Sequence, residues 1–104
     1  MHAFLADSAG KTGRPNIDWC ETHKAETFRD NVIGALNLFD ICELRDIPCM
    51  LLGTGCIYSY EKEGKFKVNS GVGFTEEDKP NFHGSYYSLT KVAGVFVCVR
   101  LFLC

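Results

Sequence analysis

The sequence predicts an α/β fold: a β-α-β unit with a parallel sheet, followed by one further helix, forming an incomplete part of a doubly wound domain. Three observations predict it. Two short apolar runs, His2 to Ala9 and Pro48 to Gly53, have strand length and flank a segment with helical periodicity. That segment shows apolar residues at steps of three and four. A β-α-β connection closes right-handed almost without exception, which makes the two strands parallel and sets their C-terminal ends on one edge.

The first strand ends in Ala9-Gly10, where a glycine suits a close turn of the chain. Lys11 to Asn16 is polar and broken by Gly13 and Pro15, and Pro15 restricts Arg14 to extended geometry, so this stretch reads as a loop. Asp18 with Glu21 three residues later has the form of a capping box. From there Ala25, Phe28, Val32, Leu36, Phe39 and Cys42 predict one inward face on a continuous helix of about six turns. Asp46 and Pro48 end it. Pro48 to Gly53 is uninterruptedly apolar, which predicts a strand buried on both faces. Tyr58 to Ser85 is long, polar and Gly-rich, a length of loop that is usually functional or mobile. Ser85 or Gly84 then caps a last helix, with Leu89, Val92, Ala93 and Phe96 expected inward.

With 104 residues the chain holds one domain at most. A net charge of −2 gives no electrostatic footprint for nucleic acid or an anionic membrane, so neither is expected as a partner. Gly94 to Cys104 is apolar, but it is about half the length needed to cross a bilayer, and Arg100 interrupts it. The six cysteines contain no C-x-x-C pair and no secretory signal precedes them. A reducing, cytoplasmic location is therefore expected, with no metal site and with most thiols serving as small core residues. His2, His23 and His83 show no ligand spacing, and Glu76, Glu77 and Asp78 read as a solvated turn.

Chemistry concentrates between Gly53 and Lys91. Tyr87-Ser88-Leu89-Thr90-Lys91 places Tyr87 and Lys91 one helical turn apart on a single face. A tyrosine hydroxyl has an unperturbed pKa of about 10, and a neighbouring ammonium favours the phenolate, bringing the group closer to acid-base work near neutrality. Thr54, at the end of the second strand, can hydrogen-bond a carbonyl oxygen that gains negative charge while Tyr87 donates a proton. Taken alone, Y-x-x-x-K also fits a solvated helix face. Cys56 likewise fits a small hydrophobe as well as a thiol of pKa near 8.5 that exchanges protons beside a ketone.

The order of these elements, a long helix, a buried strand ending in a hydroxyl residue, then Tyr and Lys about thirty residues on, resembles the extended short-chain dehydrogenase/reductase family, whose fold is Rossmann-like. Ala9-Gly10-Lys11-Thr12-Gly13-Arg14-Pro15-Asn16, Asp18-Trp19-Cys20-Glu21, Thr54-Gly55-Cys56-Ile57-Tyr58, Gly73-Phe74-Thr75-Glu76-Glu77-Asp78-Lys79-Pro80-Asn81-Phe82 and Gly84-Ser85-Tyr86-Tyr87-Ser88 look like the nucleotide-rhamnose synthase/epimerase-reductase branch, over roughly positions 9 to 94. The resemblance implies an NADPH- or NADH-dependent parent enzyme that epimerises a nucleoside-diphosphate 4-keto-6-deoxy sugar at C3 and C5 and reduces it at C4. It implies Thr54, Tyr87 and Lys91 as the reductase group, with Lys91 also holding the cofactor ribose, and Cys56 as an epimerisation acid/base. A second epimerisation residue, a lysine in that family, is expected beyond the last residue of this chain. Ser/Thr-x-Cys also occurs in GDP-fucose synthase, a second candidate relative, whereas plain 4-keto-rhamnose reductases lack the cysteine.

Ala9 and Gly10, at the ligand edge, are candidate cofactor contacts together with Tyr87 and Lys91. Arg14 and Asn16 lie in the adjoining loop, where Arg suits phosphate or sugar recognition and is equally common as an exposed charge. Asn31 resembles the family's helix asparagine that orders the active site and contributes to the substrate side; an asparagine there could also face water. Trp19 and Phe28 read as packing residues. The chain contains no G-x-x-G-x-x-G or G-x-G-x-x-G after a strand, the element that cradles a dinucleotide pyrophosphate, and Val95 to Cys104 departs from the family pattern. The expectation is therefore a central fragment of an NAD(P)-binding domain, residues 1–104, that lacks half of the dinucleotide site. The alternative is a non-catalytic remnant that binds a sugar nucleotide or pairs with a complementary polypeptide.

Overall fold

The structure is a computed structural model that describes residues 3–60, 69–75 and 77–102, with side chains up to Val95. His2, Glu76 and Cys104, named above, lie outside this description, as do the side chains of Phe96 and Arg100. The elements in chain order are β1 (Leu5–Asp7), α1 (Trp19–Thr22), α2 (Lys24–Phe28), a π-helical turn (Arg29–Ile33), α3 (Gly34–Leu44), β2 (Cys49–Leu51), a 3-10 turn (Gly55–Ile57) and α4 (Tyr86–Phe102). β1 and β2 pair in parallel with Leu5 opposite Cys49 and Asp7 opposite Leu51, as the β-α-β reading requires. Leu5 N–H donates to Pro48 O at 2.8 Å, and Leu52 N–H to Asp7 O at 2.9 Å.

β2 is buried on one face only. Leu5, Asp7, Cys49 and Leu51 are covered to differing degrees, whereas Ala6 and Met50 on the opposite face are exposed. Continuous hydrophobicity marks a strand meant for two covered faces, and the described residues supply a layer for one. Gly94 permits the close approach of α4 to that layer: a Cβ there would lie 3.3 Å from Leu51 Cδ2.

The predicted single helix is interrupted twice. His23 breaks it with φ −122° and ψ 46°, and the π-turn inserts extra backbone at Arg29–Ile33. An inserted residue rotates everything before it relative to everything after it. Val32, Phe39 and Cys42 are buried as expected. Before the turn, however, the inward positions are Cys20 and Thr27, while Ala25 is exposed and Phe28 is 43% exposed. In α4 Val92 is buried as expected, but Leu89 is 48% exposed, because the helix turns Tyr87, Ser88, Thr90 and Lys91 inward instead. A polar face is thus buried where an apolar one was expected.

The capping box does not form. Asp18 makes no side-chain cap bond; Asn16 takes that place, accepting Asp18 N–H through Oδ1 at 2.9 Å and Trp19 N–H through its carbonyl. Glu21 reaches to another helix, as described below. The turn at Asp78 is solvated as expected and is closed by its carboxylate, Oδ2 accepting both the N–H and the hydroxyl of Thr75. Among the described residues, no helix is long and apolar enough to cross a membrane, and Cys20, Cys42 and Cys56 are free thiols.

Candidate functional site

The site lies at the C-terminal edge of the two strands, where open α/β sheets bind ligands. After β1, the Asp7 carboxylate accepts Ala9 N–H at 2.9 Å and turns the chain outward. Asn31, held inward by the π-turn and 4% exposed, then clasps the main chain of Lys11. Its Oδ1 accepts Lys11 N–H at 2.6 Å and its Nδ2 donates to Lys11 O at 3.0 Å. Nδ2 also donates to Thr90 Oγ1 at 3.2 Å, and Thr90 donates to Tyr87 O at 2.8 Å. One buried amide thus ties the loop after β1 to α4, and its polar atoms are engaged with the protein itself. A buried amide left half-paired would cost about 1–3 kcal/mol, so the clasp is strongly enforced.

Tyr87 and Lys91 are 6% and 9% exposed, and Lys91 Nζ lies 6.0 Å from the Tyr87 ring centroid. Among the described residues no carboxylate pairs with Lys91. Gly10 makes room for this ammonium: a Cβ at Gly10 would lie 2.7 Å from Lys91 Nζ and 3.2 Å from Asn31 Oδ1. The sequence therefore needs a glycine here for close approach rather than for an unusual φ.

After β2, Thr54 is extended and its Oγ1 accepts Cys56 N–H at 3.2 Å, capping the 3-10 turn. With its oxygen turned to Cys56, the hydroxyl proton of Thr54 remains available to donate. Cys56 is exposed and Ile57 is buried. The carbonyl of Cys56 accepts Ser88 Oγ–H at 2.7 Å, which fastens the turn to α4.

The long loop is held by a second asparagine clasp. Asn81 Oδ1 accepts Ser59 N–H at 2.6 Å and its Nδ2 donates to Ser59 O at 3.0 Å. The Tyr58 ring stacks on Phe74 at 4.5 Å, and Tyr58 Oη donates to Asp78 O at 3.3 Å. These contacts deliver Ser85 to the start of α4, where its Oγ caps Ser88 N–H at 3.1 Å. Glu21 Oε1 accepts Tyr86 N–H at 2.6 Å, and Lys24 Nζ lies 5.4 Å from the Tyr86 ring.

Two cavities meet at Gly10. One, of about 360 Å³, is lined by Lys11, Gly13, Arg14 and Trp19; the other, of about 450 Å³, by Ala9, Arg29, Asp30 and Asn37. Arg14 therefore stands on a cavity wall, whereas Asn16 caps α1. Trp19 is more than packing: it lines the first cavity, stacks on His23 at 3.7 Å and has Lys11 Nζ 4.8 Å from its ring. Lys11 also pairs with Glu26 at 2.7 Å. That bond raises the Lys11 ammonium pKa and lowers that of the Glu26 carboxyl.

The fold thus brings Ala9, Gly10, Asn31, Tyr87 and Lys91 together, and joins Thr54 and Cys56 to the same helix through Ser88. Sequence reading missed Glu21 as the cap of α4, and Ser88, Thr90 and Asn81 as tethers. For Ser88 and Thr90 a signal existed: both are small hydroxyl residues inside the Y-x-x-x-K window, where an apolar helix face was expected.

The chain is 56% identical over 90 residues to a trifunctional UDP-glucose 4,6-dehydratase/UDP-4-keto-6-deoxy-D-glucose 3,5-epimerase/UDP-4-keto-L-rhamnose-reductase of Arabidopsis thaliana, an alignment covering 86% of this chain and 13% of that protein. It is 53% identical over 90 residues to the bifunctional dTDP-4-dehydrorhamnose 3,5-epimerase/dTDP-4-dehydrorhamnose reductase of the same plant, covering 86% of this chain and 29% of the relative. The chain therefore spans well under half the length of these curated relatives. A crystal structure of a UDP-rhamnose synthase from Acanthamoeba polyphaga mimivirus superposes with a TM-score of 0.71 at 37% identity, over 90% of this chain and 34% of that one. This supports the partial Rossmann-like fold. The family profile described as NAD dependent epimerase/dehydratase matches residues 11–101, and the chain belongs to that family.

Proposed function

We propose that this chain carries the catalytic segment of an NADPH-dependent enzyme that epimerises a nucleoside-diphosphate-linked 4-keto-6-deoxyhexose at C3 and C5 and reduces it at C4, in rhamnose formation. The observation that carries this reading is Lys91: a nearly buried ammonium beside Tyr87, against Gly10, with no carboxylate partner among the described residues. With no carboxylate beside it, this ammonium is free to donate to a ligand, and a ribose diol lying along the Ala9-Gly10 edge would supply the acceptors. The residues present fit the nicotinamide-ribose end of the cofactor; the glycine-rich phosphate loop is not in this sequence.

When bound, the cofactor supplies the hydride for C4. The chain's own residues do the rest. Thr54 donates a hydrogen bond to the C4 carbonyl oxygen, and Tyr87 gives that oxygen its proton. The same polarised carbonyl acidifies the neighbouring C–H bonds by enolate delocalisation, and Cys56, two residues past Thr54, exchanges the proton. Asn31 acts by fixing the loop at Lys11 relative to α4, and Arg14 reads phosphate or sugar from the cavity wall.

A second reading has its own support. The exposed sheet face at Met50 favours a non-catalytic piece that binds a sugar nucleotide or a complementary polypeptide. Titration of the chain with NADPH, followed by reduced-nicotinamide fluorescence, separates the two. The first reading expects saturable enhancement that Lys91→Met abolishes. No binding at millimolar NADPH removes it as a property of this chain and leaves the second.

A further inference from the structure

We propose that Ser88 is a positioning residue that holds the Cys56 turn at a fixed distance from Tyr87. Ser88 is fully buried, at 0% exposure, on the helix that bears Tyr87 and Lys91. Its hydroxyl is committed in both directions. It accepts from Ser85 Oγ–H at 2.8 Å and donates to Cys56 O at 2.7 Å, while its N–H goes to Ser85 Oγ. Ser85 donates to Ser88 and Ser88 to Cys56, so the relay Ser85, Ser88, Cys56 runs in one direction and each bond reinforces the next.

The consequence falls on Cys56. Its N–H is taken by Thr54 Oγ1 at 3.2 Å, and its carbonyl by Ser88. Two hydroxyls from different elements therefore fix the main chain on both sides of the thiol, although the residue itself is exposed. Without Ser88, Cys56 itself keeps only the local bond to Thr54, while the far end of the turn stays held at Ile57 O by the N–H groups of Asn81 and Phe82. Tyr87 precedes Ser88 in the chain, so the same tether sets the thiol relative to the phenol. Under the proposed function this is what lets one carbonyl be polarised by Thr54 and Tyr87 while its neighbouring protons face Cys56. The catalytic meaning rests on that reading; the tether does not.

The test is backbone amide exchange in the full 104-residue chain, read at Cys56, whose N–H is held by Thr54 Oγ1, and at the buried Cys20 and Cys42. Ser88→Ala is expected to speed exchange at Cys56 about fivefold, the scale of one lost buried hydrogen bond. Exchange at Cys20 and Cys42 should be unchanged. Ser88→Thr keeps the hydroxyl and should restore the slow rate. An unchanged Cys56 rate in Ser88→Ala, with Cys20 and Cys42 also unchanged, overturns the proposal. If Ser88→Ala speeds exchange at Cys20 and Cys42 as well, Ser88→Thr decides: a slow Cys56 rate supports the tether and a fast one overturns it. Failure of NADPH to bind would remove the catalytic reading and leave this outcome standing.

Discussion

The Glu21 carboxylate accepts the main-chain N–H of Tyr86 at 2.6 Å across 65 positions of sequence, so α1 closes the first turn of the helix that carries Tyr87 and Lys91. A carboxylate at a helix N-terminus also meets the positive end of the helix dipole. Glu21→Ala should destabilise the chain by about 1 kcal/mol, the usual worth of a helix cap, with Glu21→Gln costing less because it retains an acceptor. Urea denaturation measures the cost. Amide exchange at Tyr86, faster in Glu21→Ala, locates it.

Asn31 joins Lys11 and Thr90 through one buried amide. Asn31→Ala strands the Lys11 main chain and the Thr90 hydroxyl and is expected to cost about 2–3 kcal/mol. Asn31→Asp keeps Oδ1 but replaces the donor with an acceptor facing Lys11 O, and should cost about as much. Denaturant midpoints for the two variants check this; a loss within about 0.5 kcal/mol, the usual range for surface substitutions, would show that the clasp is dispensable.

Gly10→Ala and Gly13→Ala should behave differently. At Gly10 the new Cβ meets Lys91 Nζ at 2.7 Å, the far end of a flexible side chain, so the fold tolerates it while the ammonium is displaced. Stability should fall by less than about 1 kcal/mol, and NADPH affinity by about tenfold or more, since small misplacements at a site are costly. At Gly13 the φ is +78° and the Cβ would lie 2.6 Å from the Asn16 carbonyl and 2.7 Å from Trp19 Cβ. Both are rigid. Gly13→Ala should cost more than about 1 kcal/mol in stability, from strained backbone and overlap together.

Acid should weaken the Lys11–Glu26 pair first. The hydrogen bond to Lys11 lowers the Glu26 pKa from its ordinary 4.5, so its contribution is present above that value and is lost as pH falls through the lower folded value. The bond to Glu26 raises the Lys11 pKa from 10.5, so that contribution is present below 10.5 and is lost only as pH rises through the higher folded value. The pair's contribution should be flat between these limits, and small, because both groups lie at the surface. Denaturation midpoints of the native chain and Glu26→Gln should converge as pH drops from 7 toward 3, and should also converge at high salt.

Local rules made much of this protein legible in its sequence. Two apolar runs of strand length around a helical period were enough for a parallel β-α-β unit, because handedness leaves one way to close it. The Tyr87 to Lys91 spacing placed both on one helix face, and Ser85 had the identity of a cap. What tertiary structure alone decided was where the polar groups go. Phe28 and Leu89 match an apolar period yet face outward, since the π-turn shifts the phase of one helix and the site draws a polar face of α4 inward. Glu21 stands in a capping-box position relative to Asp18 but caps α4, and Asn16 closes the helix start in its place. Periodicity records how often a chain can bury apolar surface. The partner of a hydrogen bond 59 or 65 residues away is set by distance and direction in three dimensions, and exists only once the strands and helices have met.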